Sequence, residues 1–529
     1  MRQGSMPCPS ILDNVLGPVT LGPSSSHLSG PVRLGRLARA LVSFEPRRVE
    51  IAFNEGGSFA GTYRGHRTDC ALAAGLLGWD TDDPRIPQAI NEARARGVDI
   101  AFAVARLETD HPNTVRFRLR GPRGEHSEVV GTSEGGGAVR VSRLDGMRTD
   151  LDGQWPVLLA RLRPGAPTDD LVRALVELSD GARVRANDGN LLTLELSAPL
   201  GPQALETAAR RPEVVSCRQV EPVSLAPRPG ASRTPLFSTA ADLLYLAAQR
   251  RAGLSDLAVS YEAGRLGWTP AQIRTHAGRM VSVMRQALDR GLSEELPLSG
   301  GIVKQGGCRL HEAVRLGRTV SSGTMTRAAA YAMAVNEVSA SLGLIVAAPT
   351  AGSCGVVPGA LFAAAEDLGI ADRKDALVDA LLAAGAVGAV FAQRATFLAE
   401  LCGCQVESGA AAAMAAAAVV EMKGGSPRQS LDAASISLQN ILGMECDPVA
   451  GLMEVPCITR NALGAVNALM SADIVLAGVE SAIPFDEVVD AVYETGRFRP
   501  VQCNGTAGLA ATPSGRALAV RVRNWEAQN

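Results

Sequence analysis

Aromatic side chains are scarce in this 529-residue chain, at 4% of positions, while Ala and Gly abound. So many small side chains point to helices that pack closely, above all in the second half. There is no charge excess: 52 Lys and Arg against 54 Asp and Glu leave a formal charge of −2. That excludes the basic footprint of a nucleic-acid binder and an acidic disordered tail. The opening stretch, MRQGSMPCPSILDNVLG, lacks a basic region followed by an apolar run, so no signal peptide is expected. Val338 to Ala365 carries no charge and is long enough to cross a membrane. Pro349, Pro358, Gly352, Gly355 and Gly359 interrupt it, so it reads as a buried loop joining two helices. Also missing is the G-K-[ST] of a phosphate-binding loop, and no G-x-S-x-G elbow of a serine hydrolase stands behind the adjacent Ser26 and His27. The expectation is a soluble, cytoplasmic protein with neither a membrane nor a nucleic-acid partner.

The length calls for two to four domains, and composition suggests three. Residues 1–153 read as an α+β domain. An amphipathic helix over Pro31–Phe44 carries Arg33, Arg36 and Arg39 on one edge, and strands follow at Arg48–Phe53, Asp99–Phe102, Thr114–Leu119 and Ala138–Leu144. Residues 154–226 read β-α-β-β-α-β, with strands at Val157–Leu162, Val184–Arg185, Leu191–Leu196 and Val214–Val220 and helices at Asp169–Leu178 and Gln203–Ala209. That is the ferredoxin-like order, common in regulatory modules of the ACT type and also in plain dimerisation domains. After the linker PRPGASRT, residues 235–529 read as an all-α domain whose Ala-rich helices Leu377–Phe391 and Gly409–Lys423, apolar all round, belong inside a bundle.

Two sets of residues carry chemistry. The stretch GPSSSHLSG at Gly22–Gly30 offers a Ser/His pair, an anion cradle or a polar helix start. Adjacent Ser26 and His27 should diverge, which disfavours a nucleophile. Of the ten cysteines, Cys404, Cys446 and Cys457 lie beside small or rigid residues, in G-C-Q, E-C-D-P-V and V-P-C-I-T-R-N. Their wide spacing fits neither a zinc ribbon nor a ferredoxin run, so three core cysteines remain an alternative to a metal set. Pro448 and Pro456 place these thiols on turns near helix ends. Three thiolates would leave one iron of a [4Fe–4S] cluster open as a Lewis acid, suited to removing water from a β-hydroxy acid.

Seven motifs together resemble the iron–sulfur L-serine dehydratases: GPSSSH at Gly22–His27, GSFA-x3-RGH-x-TD at Gly57–Asp69, DHPNT at Asp110–Thr114, AAPTAGSCGVVPGAL at Ala347–Leu361, GCQ-x-E-x-G at Gly403–Gly409, CDPVAGLMEVPCITRNA at Cys446–Ala462, and GLAATPSGR at Gly508–Arg516. They span nearly the whole chain, in the order β-type domain, ACT-like domain, α-type domain. The resemblance implies a [4Fe–4S] cluster on Cys404, Cys446 and Cys457, no pyridoxal phosphate, conversion of L-serine to pyruvate and ammonia, a C-terminal tail that can reach the site, and both His loops facing the cluster. A homodimer acting on a small amino acid is expected. Ser24, Ser25 and Ser26 are candidates to hold the substrate carboxylate ahead of a helix, and the loop with Thr350, Gly352 and Ser353 is a second. His27 and His66 are the candidate bases, with Asp69 placed to orient His66. His111 reads as a loop-structural residue.

The chain departs from the family pattern in several places. Leu28 stands for a usual Thr, Arg67 for a Gly, Cys308 for the Asp of a GGD stretch, Gln393–Ala399 for a Ser- and Asn-rich segment, and Gln502–Gly505 for an Arg-Glu-Thr-Gly segment. Lost polar groups beside gained arginines suggest a related eliminase acting on a larger or more acidic β-substituted amino acid. Cys402 or Cys503 is a possible extra ligand. A non-catalytic amino-acid sensor using the ACT-like domain is a further alternative.

Overall fold

The computed structural model describes residues 5–109, 111–178, 182–498 and 508–528. Twelve strands in these residues make three sheets. A six-stranded sheet has the order β3-β2-β4-β5-β6-β7, from β2 (Arg48–Asn54), β3 (Asp99–Ala105), β4 (Thr114–Arg120), β5 (His126–Gly135), β6 (Ala138–Leu144) and β7 (Met147–Leu151). Only β2 and β3 run parallel. The sequence pattern missed β5 and β7. In β5 the run HSEVVGTSEG breaks alternation with Val129-Val130 and Gly131, and its ladder to β6 shifts register there. Pairing with strands on both sides supplies what local pattern does not.

Helix Gly30–Leu41 opens with Pro31 in its first turn, and packs Leu34, Leu37, Ala38 and Leu41 on this sheet against Val49, Ile51, Phe53 and Phe117. The expected basic edge is only partly one. Arg36 and Arg39 pair with Asp80 and Glu45 near the surface, but Arg33 is buried, ion-paired to Asp13 and donating to the Gly137 carbonyl. A second helix, Thr68–Leu76, crosses the first at backbone distance. A Cβ on Gly35 would sit 2.4 Å from the Leu72 carbonyl oxygen, and one on Gly75 2.0 Å from that of Val32. The GPSSSH loop leads into the first helix and the R-G-H turn into the second, so this crossing brings the two His loops together.

The middle unit has the expected order. Strands β8 (Val157–Leu162), β9 (Arg183–Asp188), β10 (Leu191–Glu195) and β11 (Val214–Val220) form an antiparallel sheet of order β11-β8-β10-β9, with helices Asp169–Glu177 and Pro202–Ala209. Alternation splits its faces: Leu158, Ala160, Leu192 and Leu194 meet the helices, while Val157, Leu159 and Leu191 join the core of the N-terminal sheet.

The C-terminal unit is a helical bundle around Lys374–Arg394, buried from Leu377 to Ala392 except at Asp379, and Ser408–Met422, buried through Val420. Lys374–Arg394 is the one helix among the described residues long and apolar enough to cross a membrane, and 83% of its apolar window lies inside the protein. Val338 to Ala365 is a helix end, strand β12 (Leu344–Val346), a buried loop and the helix Val356–Asp367, as its Pro and Gly residues predicted. Two links tie the first unit to this bundle. Strand β1 (Val19–Leu21) pairs antiparallel with β12, and the turn Ile11–Val15 inserts Ile11, Leu12, Val15 and Leu16 into the bundle core. There the buried Glu262 carboxylate accepts from the Ser10 hydroxyl and the Ile11 amide.

Candidate active site

Both units line one narrow cavity. Ser24, Ser26, His27, Ser58, Thr62 and His66 come from the first; Ala399, Glu400, Cys404, Glu407, Cys446, Pro448, Gly451, Met453 and Cys457 from the bundle. Larger hollows exist, such as one beside Ser321–Thr326, but none of those described gathers a comparable set of donors.

The three cysteines sit on three separate turns. Cys404 begins a short 3-10 turn after Gly403, Cys446 lies in the loop after helix Pro427–Gln439, and Cys457 opens helix Cys457–Leu476 behind Pro456. Cys404 and Cys457 are buried, so the turns hold these two thiols inside the protein. The neighbouring Cys446 sulfur and then burial push the Cys404 thiol well up, and burial and then Cys404 do the same to Cys457. Three sulfurs crowd one wall with Arg460 close by, its guanidinium on the Glu445 carbonyl and the Asp447 carboxylate, each at 2.9 Å. Among the described residues no three His, Cys, Asp or Glu side chains close on a single metal ion. The thiols are instead arranged around a cavity.

The opposite wall is imidazole and hydroxyl. The rings of His27 and His66 lie 4.6 Å apart, and Phe59 meets His27 edge-on. Contrary to the sequence expectation, Ser26 and His27 do meet: the π-helical turn Ser25–Ser29 sets Ser26 Oγ 2.9 Å from His27 Nδ1. The pair is not a nucleophile and its base. Ser26 donates to Glu400 Oε1 at 3.0 Å, so its oxygen accepts from Nδ1–H, and His27 Nε2 then accepts from Ser58 Oγ at 2.9 Å. His66 differs. Its Nε2–H donates to the Gly451 carbonyl, while Nδ1 is buried with no hydrogen-bond partner. Burial lowers both imidazoles to about 3, so both are neutral at pH 7.

Of the other expected residues that are described, Ser24 lines the cavity and the rest lie outside it. Ser24 caps its turn by accepting from the His27 amide, and lines the cavity. Ser25 is turned away, its hydroxyl accepting from the Ala351 amide. Thr350 and Ser353 bond to each other at 3.1 Å, and Gly352 backs onto Met453, its carbonyl held by Asn336 and Asn461. This loop stands one layer behind the lining. Asp69 does not orient His66: its carboxylate accepts from the Cys70 amide, and His66 uses the Gly451 carbonyl instead. His111 accepts from the Asn113 amide within its loop, as expected. Cys402 packs on Gly496, and burial pushes its thiol to about 11. Cys503 and the Gln502–Gly505 segment lie outside the described residues. Beyond them, the Leu509 amide donates to Asp447 beside Cys446, which brings the GLAATPSGR segment to the cysteine loop.

Four of the departures from the family pattern do not shape the cavity, whereas Ala399, which ends the departing Gln393–Ala399 segment, lines it. Leu28 is buried in an apolar cluster with Leu21, Val32 and Trp79. Arg67 is exposed, at a left-handed φ of 58° that a Gly adopts more readily. Arg394 is paired with Asp486 and Asp490, and Cys308 lies on a helix whose first amides are held by Glu337. None of the four is a lining residue. What the sequence reading missed is acidic. Glu400 takes Ser26 and the Asn113 amide, and Glu407 lies 3.9 Å from Cys404 Sγ, raised to about 8 by burial and then by Glu400. Glu407, Ser58 and Asp447 all stand inside the quoted motifs, where attention to Cys and His passed over them.

Residues 202–509 match the family model for the serine dehydratase alpha chain, and residues 14–143 that for the beta chain. The L-serine dehydratase of Streptomyces coelicolor (strain ATCC BAA-471 / A3(2) / M145) is 32% identical over 510 residues, covering 93% of this chain and 96% of that one. L-serine dehydratase 2 of Escherichia coli (strain K12) is 30% identical over 497 residues, 90% of this chain and 93% of that one. The probable L-serine dehydratase alpha chain of Bacillus subtilis (strain 168) is 42% identical over 289 residues, 54% of this chain and 95% of that one.

Proposed function

The chain belongs to the iron–sulfur L-serine dehydratase family in its fused beta–alpha form, and on that premise we propose that it eliminates water from L-serine to an enamine, which tautomerises to the imine and takes water back to give pyruvate and ammonia, with a [4Fe–4S] cluster on Cys404, Cys446 and Cys457. The observation that carries this is the meeting of three thiols from three turns of the bundle with two neutral imidazoles from the other unit in one cavity. The donor set fits the cluster: soft sulfur ligands, two of the three buried, with the Arg460 cation beside them. When bound, it supplies an iron free of protein thiolate, a Lewis acid for the departing hydroxyl.

The chain's own residues do the rest. His66 takes the Cα proton at Nδ1, because Nε2–H is fixed on the Gly451 carbonyl and Nδ1 carries a free lone pair. His27 is a positioning residue that links Ser58 and Ser26, whose protons go to its Nε2 and to Glu400, and the Ser24 hydroxyl faces the substrate carboxylate. The middle unit serves as an ACT-like regulatory module, and the working assembly is a cytoplasmic homodimer. L-Serine is the substrate rather than a bulkier or more acidic analogue, since Leu28, Arg67, Cys308 and Arg394 stay out of the lining and Ala399, the departing residue that does line it, brings no charge. The test is anaerobic reconstitution with iron and sulfide, followed by a panel of β-substituted amino acids. A brown protein with a broad visible band that releases pyruvate preferentially from L-serine is the expected result. A colourless protein indifferent to oxygen would sink the cluster assignment.

A further inference from the structure

Glu400 is the least explained group in the cavity. Its side chain is 9% exposed and lines the space between the His pair and the Cys turns. It accepts from Ser26 Oγ at 3.0 Å and from Asn113 Nδ2 at 3.3 Å, and its only basic neighbour within ion-pair distance among the described residues is His27 Nδ1, at 3.6 Å. Among the described residues no Arg or Lys reaches it: Arg460, the cation beside the cysteines, is committed to Asp447. His27 does not neutralise it either, since both ring nitrogens are engaged with hydroxyls and burial keeps the ring uncharged. A carboxylate nine-tenths buried without a cation is unfavourable, and the arrangement is completed when a cation enters.

We propose that this cation is the substrate's α-ammonium group, and that Glu400 is the residue by which the site selects α-amino acids. The assignment rests on the lyase reading above. It divides the zwitterion sensibly. The ammonium meets Glu400, whose carboxylate is oriented by Ser26 and Asn113, and the substrate carboxylate lies toward the Ser24 hydroxyl of the first unit. It also gives the site a way to let product go. The keto acid left after ammonia departs has no ammonium, and loses this contact.

L-Alanine and propionate differ only in the ammonium group, and neither can lose water. Equilibrium titration of both into the reconstituted holoenzyme, alongside L-serine kinetics, tests the assignment in wild type, Glu400→Gln and Glu400→Asp. Glu400→Gln should weaken L-alanine at least tenfold, leave propionate unchanged, and raise KM for L-serine by a similar factor; Glu400→Asp should recover part of the loss. If both ligands weaken together, or L-alanine binding is untouched, the anchor is wrong. Should Glu400→Gln fail to fold, Glu400→Asp decides by the same comparison: selective loss of L-alanine supports the anchor, equal loss overturns it. A wild type that binds L-alanine through Glu400 but releases no pyruvate from L-serine would overturn the lyase reading alone. One that releases pyruvate while Glu400→Gln keeps its L-alanine binding would overturn the anchor alone.

Discussion

At the scale of single residues, the two cavity histidines are separated by their hydrogen bonds rather than by their surroundings. Both are buried, 4.6 Å apart and neutral. His27 is saturated by Ser26 and Ser58, whereas His66 keeps Nδ1 unshared. Replacing His66 by Asn should therefore lower kcat by about 10²–10⁴-fold, the usual contribution of a positioned base, with an unchanged visible spectrum of the cluster. His27→Asn should cost less in kcat. Equal losses in the two variants, measured as initial rates of pyruvate release, would count against the division of roles. The sequence could name both histidines but could not rank them, because the ranking depends on the Gly451 carbonyl, 385 residues away along the chain. Distance in sequence also hid Glu400, whose partners Ser26 and Asn113 belong to the other unit.

At the scale of elements, the site depends on one helix crossing. Helices Gly30–Leu41 and Thr68–Leu76 touch through Gly35 and Gly75, and each follows a His loop. A methyl group at Gly75 would meet the Val32 carbonyl at 2.0 Å, backbone that cannot swing aside. Gly75→Ala should thus destabilise the protein by about 1–3 kcal/mol through overpacking. It should also reduce turnover, since a shift of about 1 Å in a catalytic group can lose about 10²-fold. Urea melts and kcat on the same preparations check both; a variant as stable and as active as wild type would show that the crossing is not tight. Elements with strong local patterns were legible beforehand: all four strands of the middle unit, the Ala-rich bundle helices and the broken run before Ala365. β5 was not, because Gly131 and its register shift interrupt the alternation. Nor was the burial of Arg33, which depends on Asp13, a residue the helix pattern does not include. Leu28 looked like a specificity residue in sequence because it stands where the family usually has a Thr hydroxyl. On this turn Ser26 and His27 line the cavity, while Leu28 faces the core.

At the scale of the whole molecule, the cavity is a seam between two units, and its protonation is tied to their association. The Ile11–Val15 turn in the bundle core and the β1–β12 pair hold that seam closed. His27 and His66 are neutral inside it, lowered from 6.5 to about 3 by burial, His66 also by its neighbour. Between those two values the unfolded chain binds protons that the folded one does not. Stability therefore rises with pH across this window, and the histidine contribution is lost as pH falls below about 6.5, by up to about 1.4 kcal/mol per pH unit for each ring. Glu407, raised from 4.5 to about 8, acts in the opposite sense: folding holds its proton, and its contribution is lost as pH rises through that range. The histidine effect is accordingly read from a difference. Cluster-free wild type and the His27→Asn, His66→Asn double variant would be melted by urea at intervals from pH 5 to 7.5. Wild type should lose stability on acidification more steeply than the variant, with the two slopes converging above pH 7. Parallel slopes throughout would mean that the imidazoles take up protons inside the folded protein, and that the seam is wetter than its packing implies.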